Sequence, residues 1–300
     1  MLHSTGRFME KILVTGALGQ LGRELFDIVG KRGTFIWSDA VLSDERPDVI
    51  CLDICNAAAV REFVAKNGIG VIINCAAYTN VDKAEDDEPL CSKINVDGPK
   101  NLAAALKPND GALIHVSTDY VFDGTRKRGA YRPSDACHPT SVYGSTKRRG
   151  ELAIRRSGVR GVIIRTAWLY SPYGKNFVKT MLRLGGEKQE IGVVADQYGT
   201  PTYAHDLAAA ILKIVPQIGA RRGEIYHFTD EGECTWFDLA AATMTYAGLT
   251  CNVKPLATYE YPTRATRPAR SVLDKNPIRD TFGVETPWWS VSLKNCLRRL

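Results

Sequence analysis

The sequence predicts an α/β fold, a doubly wound parallel sheet with helices on both faces and a smaller C-terminal lobe, and three observations support this. Short apolar runs rich in β-branched residues alternate with amphipathic stretches in the first half of the chain, which is typical of strands that helices bury on both faces. The first run ends in a glycine-rich turn, and the second ends at an aspartate. A length of 300 residues leaves room for two unequal lobes.

Successive strands and helices can be placed as far as residue 168. The predicted strands are residues 11–15, 34–37, 49–52, 71–75, 112–116 and 162–165. The predicted helices are the segment in which Leu21, Leu25, Ile28 and Val29 share one face, residues 90–106 with a break at Gly98-Pro99, and residues 145–156. This repeated βα order favours a nucleotide-binding domain of the Rossmann type over residues 9–168.

The second part of the chain, residues 169–300, has a looser pattern. Helices are predicted at residues 176–184, 205–215, 235–247 and 287–300, strands at 191–194 and 224–228, and a proline-containing loop at 261–277. We expect mainly a substrate-binding lobe that lies against the carboxyl ends of the strands. Some of its segments should return to the first domain.

Composition excludes several classes of protein. Hydrophobic residues make up 44% and charged residues 24%, which is ordinary globular usage, and no apolar run is long enough to span a bilayer. Residues 1–8 are interpreted as a leader or a cloning remnant without the apolar core of a signal peptide. The 8 cysteines include no Cys-x-x-Cys pair, so we expect free thiols in a reducing cytoplasm and no zinc site.

The net charge is 39 − 33 = +6, and the basic residues occur in separated short clusters. Nucleic-acid binding would require a basic stripe with interleaved aromatic residues or a recognised module, and the sequence has neither. Solvated helix faces, with an anionic small-molecule substrate, are the simpler interpretation.

The glycine turn Gly16-x-x-Gly19-x-x-Gly22 joins the first strand to the first helix. Gly16 permits a tight turn, Gly19 lets backbone N–H groups approach a pyrophosphate, and Gly22 lets the helix pack closely on the strand. The helix N-terminus adds partial positive charge at that point. The sequence therefore predicts a dinucleotide site, although this spacing differs by one residue from that of many dehydrogenases.

Acidic residues at the ends of the next two strands are candidates for the adenosine end of that site. Asp39 can accept hydrogen bonds from a ribose, and its charge would repel a 2′-phosphate, which favours NADH. Arg23, Lys31 and Arg32 are cations that could tolerate NADPH. Asp53 with Ile54 could hold the adenine edge, and for both aspartates a plain turn role remains open.

A Tyr-x-x-x-Lys pair, Tyr143 and Lys147, stands at the start of a predicted helix, where one turn brings both side chains to the same face. A nearby ammonium favours phenolate, which would move the phenol from its usual pKa near 10 toward the working range. Lys147 can also hold the nicotinamide ribose. Upstream, Thr118 ends a strand and can hydrogen-bond the substrate oxygen, with Ser117 as the rival for that role.

With these motifs the chain resembles the short-chain dehydrogenase/reductase superfamily of the extended type, and more narrowly the dTDP-4-dehydrorhamnose reductases. The similar blocks are NCAAYTNVDKAE at 74–85, STDYVFDG at 117–124, RTAWLY at 165–170, NFVKTML at 176–182, DQYGTPT at 196–202 and RPARSVLD at 267–274. The resemblance implies NADH- or NADPH-dependent reduction of dTDP-6-deoxy-L-lyxo-4-hexulose, a dTDP-linked 4-keto-6-deoxy sugar, to dTDP-L-rhamnose.

The resemblance also implies roles for particular residues. Gly19, Gln20 and Leu21 would touch the cofactor phosphates, Asp39, Asp53 and Ile54 the adenosine, and Ala76, Ala77 and Tyr78 the dinucleotide. Thr118, Asp119, Trp168 and Asn176 would contact the sugar, Tyr143 would donate the proton, Lys147 would bind ribose, and Arg267 would face the diphosphate. A core role for Trp168 and a surface ion pair for Arg267 are the alternatives.

Other expectations stay open at this level. Tyr78 stands where the family often has histidine, and Cys75 where alanine is common. Some family members bind magnesium through carboxylates between subunits, and Glu24 matches one such position, but the sequence assigns no metal and leaves a homodimer open. The alternatives are a reductase, epimerase or dehydratase for another nucleotide sugar, or a non-catalytic nucleotide-binding regulatory subunit.

Overall fold

The computed structural model describes residues 11–300, so the predicted leader at residues 1–8 lies outside the described residues. The strands are β1 (Lys11–Thr15), β2 (Phe35–Asp39), β3 (Ile50–Cys51), β4 (Ile69–Asn74), β5 (Ala112–Thr118), β6 (Arg160–Thr166), β7 (Leu169–Tyr170), β8 (Glu190–Val194), β9 (Tyr198–Gly199), β10 (Thr202–Tyr203), β11 (Arg222–His227), β12 (Cys234–Thr235) and β13 (Asn252–Leu256). The α-helices are α1 (Gln20–Val29), α2 (Ala57–Asn67), α3 (Val81–Ala84), α4 (Glu88–Ser92), α5 (Gly98–Leu106), α6 (Val142–Ser157), α7 (Phe177–Glu187), α8 (Ala204–Ile214), α9 (Trp236–Ala247), α10 (Asn276–Phe282) and α11 (Trp289–Leu297).

A seven-stranded parallel sheet in the order β11-β6-β5-β4-β1-β2-β3 confirms the predicted doubly wound fold. Alternate residues of its strands face opposite sides, so Leu13 and Val14 belong to different hydrophobic clusters. Helices α1, α8 and α10 cover one face, and α2, α5 and α6 cover the other. The strand order reverses between β1 and β4, which is where ligands bind in sheets of this kind.

The smaller lobe is built from α7, α9 and α11 with short strand pairs. Their apolar side chains form two clusters of their own, one around Tyr170 and Leu293 and one around Met181 and Met244. Strand β11 returns to the edge of the large sheet beside β6. The division of the chain at residue 168 stays a prediction. Within the described residues no helix is long and apolar enough to cross a membrane.

Three elements differ from the sequence-based expectation. Helix α2 was not predicted, although Asn56 caps its first turn and Gly68 ends it in the left-handed conformation. The expected break at Gly98-Pro99 is wrong: a π-helical stretch, Lys93–Asp97, leads directly into α5, where Pro99 lies in the first turn and needs no N–H partner. The predicted loop ends early because α10 begins at Asn276, with Pro277 again in a first turn.

Candidate active site

A cavity of about 760 Å³ lies at the carboxyl ends of β1, β4, β5 and β6. It brings together residues that are far apart in the sequence and come from both parts of the chain. Of the predicted site residues, the cavity is lined by Gly16, Gly19, Gln20, Leu21, Asp39, Asp53, Ile54, Ala76, Ala77, Thr118, Asp119, Tyr143, Lys147, Trp168 and Asn176. Gly22, Tyr78 and Arg267 lie outside its wall.

The glycine turn leaves no room for side chains. A Cβ atom on Gly16, whose φ is +69°, would lie 2.6 Å from the Ala76 nitrogen, and one on Gly22 would lie 2.4 Å from the Gly16 carbonyl oxygen. Gly19 is the N-cap of α1 and supplies no side-chain cap, and the first turn carries no acidic residue. The first N–H groups of α1 therefore suit a phosphate, which fits the dinucleotide expected from the sequence.

Two aspartates, at the end of β2 and just after β3, also line the cavity. Asp39 is the last residue of β2. Its Oδ2 accepts a hydrogen bond from the Leu18 N–H at 3.0 Å, which connects the carboxylate to the glycine turn. Asp53 accepts from the Cys55 N–H at 2.8 Å. Because each bond engages one carboxylate oxygen, the other oxygen is available to a ribose or an adenine edge.

Tyr143 and Lys147 both come from the first turns of α6, which begins earlier than predicted because the Ser141 hydroxyl accepts the Gly144 N–H at 3.1 Å. Burial raises the pKa of Tyr143 far above its usual value, against an opposing influence of Thr118. The expected lowering by the ammonium of Lys147 is therefore wrong for this structure. Desolvation of the phenolate is the largest influence on the pKa of Tyr143, and Asp119 acts in the same direction, so the phenol keeps its proton.

The Lys147 side chain explains why the ammonium has so little effect on the phenol. Its Nζ donates to the Val116 carbonyl oxygen at 2.6 Å, beneath the end of β5, and the side chain is almost fully buried. Burial lowers the pKa of Lys147 to about 8, with Glu151 opposing. The lysine can therefore exist uncharged near neutral pH.

Thr118 and Asp119 end β5 beside Tyr143. The Thr118 hydroxyl donates to Asp119 Oδ1 at 3.0 Å, whereas Asp119 Oδ2 is buried and has no partner within residues 11–300. Burial raises the pKa of Asp119 to about 6, although hydrogen bonds from Ser271 and Thr118 favour the charged form. An unpartnered carboxyl oxygen in the cavity wall is available to a polar ligand.

Ser117, the rival to Thr118, points away from this group. Its hydroxyl donates to Glu151 Oε1 at 2.7 Å, and Arg165 donates to both oxygens of that carboxylate at 2.8 Å. Burial alone would raise the pKa of Glu151, but the contacts with Arg165 hold it below its usual value. The buried Glu151–Arg165 pair joins α6 to β6, and the bond from Ser117 joins α6 to β5. The sequence alone did not predict this pair.

Two stacked indoles form the wall on the side of the smaller lobe. The rings of Trp168 and Trp236 are 3.6 Å apart at an interplanar angle of 11°, and Gly199 lies against the Trp168 ring. Trp168 has a φ of +49°, an uncommon conformation for a residue with a bulky side chain. One face of Trp168 is therefore already covered. Trp236 was missed because no motif links it to Trp168.

Asn176 lines the cavity, but its side chain is engaged within the protein. Its Oδ1 accepts from the Lys179 N–H at 3.0 Å and caps α7, while Nδ2 donates to Gln20 Oε1 at 2.9 Å and to the Ser171 carbonyl oxygen at 2.8 Å. The contact with Gln20 joins the start of α1 to the start of α7. These bonds leave the amide little capacity for a sugar.

Two predicted contacts are held away from the cavity. Arg267 donates to Asp82 at 2.5 Å and to the Tyr120 hydroxyl at 3.1 Å, which matches the ion-pair alternative. The backbone of Tyr78 is fixed by Asn95, which accepts from its N–H at 2.9 Å and donates to its carbonyl oxygen at 3.1 Å.

Glu24, the position that matches a magnesium ligand in some family members, is paired with a cation of this chain through one carboxylate oxygen, while its Oε1 is buried without a hydrogen-bond partner within the described residues. Its buried Oε2 accepts a hydrogen bond from Arg299 Nη1 at 2.7 Å and lies 3.2 Å from His205 Nδ1. Within residues 11–300 no group of three or more His, Cys, Asp or Glu residues could hold a metal ion. The guanidinium of Arg299 already compensates the Glu24 carboxylate.

Comparison with known proteins gives consistent results along the chain. A family model described as RmlD substrate binding domain matches residues 9–300. The chain is 41% identical to the dTDP-4-dehydrorhamnose reductase of Aggregatibacter actinomycetemcomitans, over 96% of this chain and 98% of that protein. It is also similar to a solved dTDP-4-dehydrorhamnose reductase of Clostridium acetobutylicum (TM-score 0.89, 40% identity, 96% and 99% coverage). A third match is the Bacillus anthracis dTDP-4-dehydrorhamnose reductase in complex with NADP (TM-score 0.86, 36% identity, 97% and 99% coverage).

Proposed function

The chain belongs to the dTDP-4-dehydrorhamnose reductase family, and we propose that it reduces the C4 ketone of dTDP-4-dehydro-L-rhamnose to give dTDP-L-rhamnose. The observation that carries the proposal is the single cavity in which the glycine turn, Thr118, Tyr143 and Lys147 meet. This set can hold a dinucleotide and deliver a proton to an oxygen beside it.

The proposed mechanism assigns a separate task to each of these groups. A reduced nicotinamide dinucleotide, when bound, supplies the hydride for the ketone carbon. The first N–H groups of α1 hold its pyrophosphate, and Asp39 accepts hydrogen bonds from its ribose. Tyr143 is a neutral phenol because of its burial, so it can donate its proton to the developing alkoxide. Thr118 orients the ketone oxygen toward that phenol.

Replacing Tyr143 with phenylalanine tests the proton-donor role. We expect turnover of the dTDP-4-keto-6-deoxy sugar to fall by about 10²–10⁴-fold, the usual contribution of a general acid, while the dissociation constant for reduced cofactor hardly changes. The assay follows the absorbance of the reduced nicotinamide, and cofactor binding is measured by fluorescence titration.

Tyr120→Phe is the matched control for Tyr143→Phe. Tyr120 lies edge-on to Tyr143 with ring centroids 5.6 Å apart, and its hydroxyl accepts from Arg267. Loss of one hydrogen bond predicts at most about a tenfold decrease in turnover. Equal losses in the two variants would reject the assigned role of Tyr143. Wild-type protein that oxidised neither cofactor with this ketosugar would reject the proposed reaction.

For the cofactor, we infer a preference for NADH over NADPH. Asp39 lines the cavity, and its carboxylate would repel a 2′-phosphate. Arg23, the nearest candidate to compensate, donates to Glu45 at 2.9 Å and to the Leu18 carbonyl oxygen at 3.3 Å. Lys31 and Arg32 are exposed beyond the end of α1. The cavity is lined by two cations, Lys147 and Lys175, and the Lys147 ammonium is already engaged by the Val116 carbonyl oxygen.

Binding of both cofactors to wild-type and Asp39→Ser protein tests this preference. NADH should bind wild-type protein at least about tenfold more tightly, because like charges a few ångströms apart at a protein surface repel by more than 1.4 kcal/mol. Asp39→Ser should reduce the difference in affinity between NADH and NADPH, whereas Asp53→Ser should leave that difference unchanged. Tighter binding of NADPH by the wild-type protein would contradict the inference.

A further inference from the structure

A row of buried polar side chains runs beneath the cavity from β1 to α6. Thr15 ends β1, Asn74 ends β4, His115 lies within β5, and Lys147 lies in α6. All four side chains are buried. The row connects the glycine turn to the lysine of the Tyr-x-x-x-Lys pair, and Asn74 and His115 lie between them.

The hydrogen bonds of Asn74 fix the direction of its amide. Its Oδ1 accepts from the Thr15 hydroxyl at 2.6 Å and from the Ala76 N–H at 3.1 Å. Because the Ala76 N–H can only donate, Oδ1 must face it, and Nδ2 must point the other way. Nδ2 lies 2.9 Å from His115 Nδ1, so the amide donates to that nitrogen.

This contact determines which tautomer His115 adopts. An Nδ1 that accepts a hydrogen bond carries no proton, so the neutral imidazole has its hydrogen on Nε2. Burial, with Lys147 nearby, lowers the pKa of His115 well below its usual value, and the ring stays neutral. Its Nε2 lies 3.5 Å from Lys147 Nζ. An N–H group therefore faces the lysine amine.

The other buried histidine of the sheet provides an internal reference. His227 Nδ1 lies 3.1 Å from the Tyr131 carbonyl oxygen, which can only accept, and its Nε2 lies 3.4 Å from Arg165 Nη1, which can only donate. His227 must therefore carry its hydrogen on Nδ1. The two histidines have opposite tautomers in the same sheet, and the Nε2 of His227 lies beside an arginine whereas that of His115 lies beside a lysine.

A donor that faces Lys147 distinguishes between the two charge states of the amine. The uncharged amine has a lone pair that can accept the Nε2–H of His115, whereas the ammonium has none. The titratable groups around Lys147 are Glu151 on its own helix, Cys75 after β4, Cys91 on α4 and His115 on β5. Glu151, Cys91 and Cys75 favour the ammonium, and burial acts against it.

We propose that His115, held in one tautomer by Asn74, is a positioning residue that acts through Lys147 and favours the uncharged amine. The inference rests on the proposed function only for its role in catalysis. When Tyr143 donates its proton to the alkoxide, a phenolate remains that must regain a proton. In this proposal an N–H bond of the Lys147 ammonium breaks and its proton passes to the Tyr143 phenolate. The electron pair stays on Nζ, which becomes the neutral amine and accepts the His115 Nε2–H, so His115 favours the release of this proton.

Direct titration of Lys147 in the ligand-free protein tests the inference without any turnover. Carbon-13 labelled lysine reports deprotonation at Cε, and Lys147→Arg assigns the signal. The wild-type resonance should titrate near pH 8, because burial lowers the pKa of Lys147 to about 8, well below that of an ordinary lysine at about 10.4. His115→Phe should raise the midpoint by about one pH unit, the scale of one buried hydrogen bond. His115→Gln, whose amide can accept from Asn74 and donate to Lys147, should preserve it.

Two further measurements separate positioning from structural support. Nitrogen-15 spectra of the histidine rings should show one non-titrating ring with hydrogen on Nε2, lost in His115→Phe, and one with hydrogen on Nδ1. The limb of the pH profile of kcat that depends on Lys147 should move with the titration midpoint in His115→Phe and return in His115→Gln.

The proposal is overturned by an unchanged or lowered midpoint in His115→Phe, by His115→Gln titrating like His115→Phe, or by hydrogen on Nδ1 of His115. If His115→Phe does not fold, two measurements still test the proposal: the tautomer of His115 in wild-type protein and the titration midpoint of Lys147 in His115→Gln. Absence of ketosugar reduction by wild-type protein rejects the proposed function, while the titration continues to test the effect of His115 on Lys147.

Discussion

Asp119 gives a prediction about stability that follows directly from its surroundings. Its side chain is 2% exposed, one of its oxygens has no partner within the described residues, and burial raises its pKa from 3.8 to about 6. Asparagine has nearly the same shape and remains uncharged at every pH. Asp119→Asn should therefore remove the pH dependence that this carboxyl contributes to folding.

The sign and the size of the effect follow from the two pKa values. Between about pH 3.8 and pH 6 the folded protein retains the Asp119 proton and the unfolded chain releases it, so stability decreases as the pH rises through that interval. A difference of about two pKa units corresponds to about 3 kcal/mol of unfolding free energy. As the pH rises from well below 3.8 to well above 6, the unfolding free energy of wild-type protein should fall by about this amount relative to that of the variant.

Urea unfolding at pH 4 and at pH 7 measures the difference. The variant should gain about 2.4 kcal/mol of unfolding free energy relative to wild type on going from the lower to the higher pH, because part of the total effect is already present at pH 4; a constant offset from the substitution does not change this difference. Other buried carboxyls, such as Asp206 and Asp230, are present in both proteins and cancel. Parallel stabilities at the two pH values would refute the argument that burial of Asp119 is uncompensated.

Two further substitutions test the wall of the cavity and the cluster at α1. Trp236→Leu should remove the stack that holds Trp168 and raise KM for the ketosugar several-fold while leaving cofactor affinity unchanged. Trp288→Leu, at an exposed indole, is the control. An unaltered KM in Trp236→Leu would argue against a role of the stacked indoles in binding the ketosugar. Arg299→Gln should lower the unfolding free energy by about 2–3 kcal/mol, because the buried Glu24 carboxylate then has His205 as its remaining partner. The activity of wild-type protein should not change when a chelator of divalent cations is added. Loss of activity on chelation would contradict the view that Arg299 is the cation that balances Glu24.

The strands of the parallel sheet could be predicted because periodicity along the chain reports burial. Near-continuous apolar runs such as the one around Ile72 can be stable only as strands covered on both faces, and the structure confirms this. Features that depend on a few local bonds were harder to place. Helix α5, which follows the π-helical stretch, and helix α10, which begins at Asn276, each have a proline in the first turn, where a proline is tolerated and does not break the helix as it would inside one.

The candidate site shows a similar contrast between position and partner. The glycine turn and the Tyr143–Lys147 pair could be found because their chemistry is local in sequence. Trp236 and His115 could not, because their importance comes from Trp168 and Lys147, which only the fold brings near them. Hydrogen-bond capacity used within the protein, as at Asn176, is equally invisible in a sequence.

Charge states are the part of the site that a sequence can least provide. An isolated Tyr-x-x-x-Lys pair suggests an ammonium that stabilises a phenolate, but burial acts on both groups and favours the neutral form of each. The same cause raises the pKa of Asp119 to about 6, so this carboxyl is about half protonated at pH 6. Since a phenol that retains its proton is the form needed to protonate an alkoxide, desolvation prepares Tyr143 for reduction of a ketone. Lys147 then matters less as a fixed charge beside the phenol than as a buried amine whose proton can leave.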